Sequence, residues 1–160
     1  MKRLLKKSTL AIVLLFAFSA CNTVKKLPAK VAGASRARFV GTWTLTKVTY
    51  DGLLPGSVQT VFDQGAPEDF NNSTWNLTNS GNGTYTLTNG TSQTIFWSYD
   101  NTNGELFQFK KLYQGDKARK VQQGYQLLVA SIGDNSMILK SPVNLGDKTA
   151  YVVYSFIKTK

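Results

Sequence analysis

The sequence predicts an all-β protein, an antiparallel up-and-down barrel of about eight strands. Three observations lead there. Apolar and polar residues alternate with period two over most of the chain from Phe39 onward, Asn-Gly and Asp-Gly dipeptides punctuate the alternating runs at short intervals, and helix-length amphipathic stretches are missing. A meander of that many strands has two open edges to satisfy, and closing on itself is the simplest solution.

Ahead of the strands, Lys2, Arg3, Lys6 and Lys7 form a basic cluster, and Leu10 to Ala20 is an unbroken run of apolar and small residues. As a helix that run rises roughly 16 Å, against about 30 Å of hydrocarbon in a bilayer, so it reads as a secretory signal rather than a membrane-spanning helix. It closes on Phe18-Ser19-Ala20-Cys21, which resembles the bacterial lipobox. The resemblance implies cleavage before Cys21 and attachment of lipid to its sulfur, although cleavage after Ala17-Phe18-Ser19 also satisfies the small-x-small rule. Cys21 is the single cysteine of the chain, so no disulfide partner competes for it. Two or three acyl chains make a durable anchor where one does not.

Asn22 to Arg38 is small, basic and aperiodic, with Pro28 and Gly33, and reads as a tether spanning roughly 22 Å if flexible. The expected organisation is therefore a signal over 1–20, a lipidated cysteine and basic tether over 21–38, and a barrel over 39–160. Charge follows the same division. The formal +10 is concentrated ahead of Phe39, whereas from Phe39 onward ten basic residues face all nine acidic ones. A nucleic-acid partner is not expected on that balance.

The strands are placed at Val40 to Tyr50, Ser73 to Asn79, Thr84 to Thr88, Gln93 to Tyr99, Glu105 to Lys111, Gly124 to Ser131, Met137 to Lys140 and Ala150 to Lys158. Asp51-Gly52, Asn82-Gly83, Asn89-Gly90, Asn103-Gly104 and Gly133-Asp134-Asn135 supply the turns. Leu53 to Asn72, with Pro55 and Pro67, is the one long connection. The inward positions are Trp43, Leu45, Leu77, Tyr85, Leu87, Ile95, Leu127 and Val129, together with Trp75, Trp97, Tyr99, Phe107, Phe109 and Tyr125. The last six are the candidate ligand-lining residues, since an eight-stranded barrel holds either a packed core or one small ligand. The same side chains serve either arrangement.

Phe39-Val40-Gly41-Thr42-Trp43-Thr44-Leu45 resembles the Gly-x-Trp opening strand of lipocalins, and more closely that of the small lipocalin-like lipoproteins of Bacteroidetes. The resemblance implies a barrel floor built on Gly41 and Trp43, with a late-strand cation over the tryptophan. No arginine follows Arg119, which leaves Lys140 or Lys158 for that role. In lipoproteins of this type an acidic motif after the cysteine accompanies surface export. None follows Cys21, which implies an anchor in the outer membrane facing the periplasm.

Catalytic chemistry finds little to work with. The chain has no histidine, no Gly-x-Ser-x-Gly elbow, and no thiol once Cys21 is lipidated. Asp100 to Glu105 has the oxygen density of a calcium loop but the wrong spacing, and reads as a hairpin turn. Glu68-Asp69 reads as a solvated loop. Lys110, Lys111, Lys117, Arg119 and Lys120 around Tyr113 read as a solvated hairpin end, with contact to anionic lipid or glycan as the next reading. The expectation is a monomeric, lipid-anchored protein that binds a small hydrophobic ligand without catalysis, cofactor or metal. Its alternative is an interaction or inhibitor module that presents Leu53 to Asn72 to an envelope partner.

Overall fold

The computed structural model describes residues 30–160; the signal segment and Cys21 lie outside the described residues. The eight strands are β1 (Gly41–Asp51), β2 (Thr74–Leu77), β3 (Asn82–Thr86), β4 (Ser92–Asp100), β5 (Leu106–Leu112), β6 (Tyr125–Ile132), β7 (Ser136–Leu145) and β8 (Lys148–Lys158). Each pairs antiparallel with the next, and β1 pairs with β8 to close the barrel. The all-β, lipocalin-like architecture read from the sequence is the one observed.

Period-two alternation accounts for which side chains face in. Along β5, Phe107, Phe109 and Lys111 are buried while the intervening residues are half-buried on the outer wall. Bulges between Leu45 and Lys47 and between Val129 and Ser131 shift the register of β1 against β8 and of β6 against β7. Such bulges add the local bend that a small closed sheet needs.

The strand directions define two ends. At the floor lie the start of β1, the end of β8 and a short helix α1 (Arg36–Phe39) that precedes β1. At the mouth lie the long connection from Gly52 to Ser73 and the link between β5 and β6. The domain reaches further back than expected: Val31 and Ala34, assigned to the tether, pack against the core, and Arg36 lies 4.3 Å from the ring centre of Trp97.

Three local expectations are corrected. Asn82-Gly83 is not a turn; both residues belong to β3, and the chain reverses one step earlier, where Gly81 takes φ +93°. Gly83 is required for a different reason, because a Cβ there would sit 2.6 Å from the Asn76 carbonyl oxygen. Gly133 likewise turns without a positive φ. The third concerns β7, which runs five residues beyond Lys140. From Ser141 to Leu145 it pairs with β8 alone, because the ladder between β6 and β7 stops at the Leu128–Lys140 pair while the first residues of β6 pair only with β5. Pro142 is tolerated there because that side of the strand has no ladder to break. Outside the body of the barrel the alternation loses its apolar half, which is why the sequence pattern stopped early.

Candidate functional site

The six candidate lining residues do not surround an open space. They divide into two groups of three, each closed around one phenylalanine. At the floor, Phe39 lies 6.1, 5.2 and 5.5 Å from the ring centres of Trp97, Tyr99 and Phe107. At the mouth, Phe62 lies 6.4, 5.1 and 5.6 Å from those of Trp75, Phe109 and Tyr125. Trp75, Trp97, Phe107 and Phe109 are buried, while Tyr99 and Tyr125 are half-buried. Ring pairs at these distances add to the gain from burial itself.

The floor is built on the two residues of the Gly-x-Trp motif. Trp43 is fully buried and its indole N–H donates to the Phe39 carbonyl at 2.8 Å, tying α1 to the first strand. Gly41, at φ +139°, leaves room for the end of the chain: a Cβ there would lie 2.4 Å from Lys158 Cε. Across that gap the Lys158 ammonium reaches a point 5.1 Å from the Trp43 ring centre. Lys158 therefore occupies the place of the late-strand cation. Lys140 does not; it pairs with Asp51 at 3.0 Å.

The mouth is closed by the connection between β1 and β2. Phe70, in the 3₁₀ turn Pro67–Phe70, and Phe62 both enter the barrel, and their rings lie edge-on at 5.3 Å. Phe62 and Asp63 hold φ of +54° and +46°, a left-handed conformation that costs a bulky residue energy and persists only where its surroundings enforce it. Two groups enforce it. The Lys111 ammonium, buried inside the mouth, donates to the carbonyls of Phe62 at 3.0 Å and Asp63 at 3.3 Å. The Asp63 carboxylate accepts from the Tyr125 hydroxyl at 3.0 Å and from the Gln123 amide.

Lys111 was expected in a solvated hairpin end and instead points inward from β5. No signal in composition distinguishes it from Lys110; the alternation of Phe107 and Phe109 does, since residue 111 shares their face. The acid pair also has work. Asp69 accepts from the Ala66 N–H at 3.0 Å, and Glu68 accepts from the Tyr50 hydroxyl, which burial, together with that carboxylate, pushes up to about 12. In the former calcium candidate, Asp100 accepts from the Thr102 N–H at 2.9 Å, and this bond holds its carboxyl below the usual range. That is an Asx turn.

Interior polarity is almost fully used. The indole N–H groups of Trp75 and Trp97 donate to the Ser73 hydroxyl at 3.0 Å and the Thr78 carbonyl at 3.1 Å. The exception is the Tyr154 hydroxyl, which among the described residues is buried without a hydrogen-bond partner. Its ring lies 5.5 Å from that of Phe62. Beside Phe62 a cavity of about 390 Å³ opens between the loop, the start of β6 and the projecting β7–β8 hairpin, with Val58, Val61, Phe62, Tyr125, Val143 and Val152 among its walls. Neither protein-family models nor curated proteins give a match to this chain.

Proposed function

We propose that this is a lipid-anchored envelope protein of lipocalin type that binds a small hydrophobic ligand at the barrel mouth, without converting it. The anchor is Cys21 and the membrane is the outer one, with the protein facing the periplasm. The observation that carries the ligand reading is the Phe62 stopper. It sits in a strained loop conformation, it borders a 390 Å³ cavity, and its ring lies 5.5 Å from that of Tyr154, whose buried hydroxyl has no partner among the described residues. A buried unsatisfied hydroxyl calls for an explanation. A ligand that displaces Phe62 gains the ring cage of Trp75, Phe109 and Tyr125, and one polar atom on it would satisfy Tyr154.

The test is Phe62→Ala. The variant should bind a flat apolar probe such as anilinonaphthalene sulfonate at least tenfold more tightly than the parent chain, and native mass spectrometry of the parent should show a small co-purifying ligand. Equal probe binding by parent and variant, with no co-purifying mass, would end the ligand reading. A second reading rests on Leu54, which is 79% exposed on the same loop and suits a protein partner better than a soluble ligand. A stoichiometric protein captured from membranes and lost on Leu54→Ser would favour it.

Anchoring has its own measurement. Cys21→Ala should move the protein from the membrane fraction to the soluble fraction, and unchanged fractionation would refute lipidation at that residue.

A further inference from the structure

A second cleft lies outside the barrel. The wall of β4, β5 and β6 turns two cross-strand rows outward: Phe96 beside Lys110, and Ser98 beside Gln108 beside Gln126. The link from Tyr113 to Gln123 folds back over these rows and brings Arg119 and Gln122 to face them across a space of about 550 Å³. This is a size typical of small-molecule sites.

The roof is held by a specific device. Gly124 has no side chain, so the Lys110 stem crosses it, and a Cβ at residue 124 would lie 3.3 Å from Lys110 Cγ. The Lys110 ammonium then donates to the Val121 carbonyl at 2.7 Å and the Ala118 carbonyl at 3.4 Å, pinning the link to the wall. Arg119 is held differently: its guanidinium makes no hydrogen bond or ion pair among the described residues, and no carboxylate lines the cleft.

We propose that this cleft binds an acidic saccharide, a mono- or disaccharide unit carrying a carboxylate. The lining supplies what such a ligand presents. Gln108, Gln122 and Gln126 each carry a donor and an acceptor on one amide, matching hydroxyls that both give and take hydrogen bonds. The half-buried Phe96 ring offers a flat apolar surface for the C–H face of a pyranose ring. The Arg119 fork suits a carboxylate in bidentate geometry. An uncharged apolar ligand would leave Arg119 and the amides unmatched; the Phe62 cavity at the mouth adjoins this cleft along Gly124, Tyr125 and Gln126 but is not lined by Gln108, Arg119 or Gln122.

The experiment titrates the full chain with a galacturonate disaccharide, with the neutral galactose disaccharide and a short polyglutamate peptide as comparisons. The acidic sugar should bind at least tenfold more tightly than either. Arg119→Gln should remove about tenfold of that preference, and Gln126→Ala should weaken both sugars alike. Arg119 is exposed and Gln126 lies on the outer wall, so both variants keep the fold, which circular dichroism verifies. Absence of acidic-sugar binding, an unchanged affinity in Arg119→Gln, or equal binding of polyglutamate would each overturn the proposal. The last result would assign the cleft to a protein partner.

Discussion

Phe39→Ala is expected to cost about 3–5 kcal/mol of folding stability, the range for removing a fully buried aromatic side chain. That is a large part of the roughly 5–15 kcal/mol by which domains of this size hold together. The estimate rests on packing alone. The Phe39 group that receives the Trp43 indole is its main-chain carbonyl, which alanine keeps, so the variant empties the space among Trp97, Tyr99 and Phe107 without breaking the tie. Urea unfolding should show a lower midpoint with an unchanged slope, and Phe39→Leu should recover most of the difference. A loss below about 1 kcal/mol would mean that the three rings close over the gap and that Phe39 is not what seals the floor.

The second large effect is alkaline unfolding. Burial pushes the phenols of Tyr85, Tyr125 and Tyr154 well above the ordinary tyrosine value of 10.0, with the Asp63 carboxylate adding to the effect at Tyr125. In the unfolded chain these phenols release their protons near 10.0, while in the folded chain they keep them. The folded state therefore binds more protons above that pH, and linkage requires stability to be complete below it and to fall as pH rises toward the folded values. Near-ultraviolet circular dichroism and tyrosinate absorbance should change together, in one cooperative step above about pH 10. Gradual titration of all the tyrosines with the fold intact would contradict this. Tyr154→Phe supplies the control, since its hydroxyl has no partner to lose among the described residues: stability near neutral pH should hardly change, and the alkaline midpoint should rise.

Much of the barrel was legible because a strand buried on one face writes its environment into every second residue. Trp43 and Leu45, Ile95 and Trp97, Phe107 and Phe109 all proclaim an inner face. The two stoppers were not legible in the same way. Phe39 reads as part of the strand that follows it. Phe62 stands in an aperiodic connection, where a single aromatic residue carries no phase, and its entry into the barrel depends on Lys111 and Tyr125, which are 49 and 63 positions further along. Sequence alternation places side chains on a face, but it does not say which loop will return to cover them. The outer cleft escaped for a related reason: Gln108 and Gln126 look like ordinary solvated positions until the Tyr113 to Gln123 link is folded back above them.

The floor has one further consequence, concerning orientation. The chain enters the barrel there through α1, and it also ends there, where Thr42 N–H donates to the Lys160 carbonyl at 2.8 Å. The residues ahead of α1 therefore join the barrel at its floor end. With strands of up to 11 residues tilted as in small barrels, the mouth stands roughly 28 Å above it. Under the anchor proposed above, the tether joins the barrel at its floor, and the mouth where the proposed ligand would enter is the opposite end.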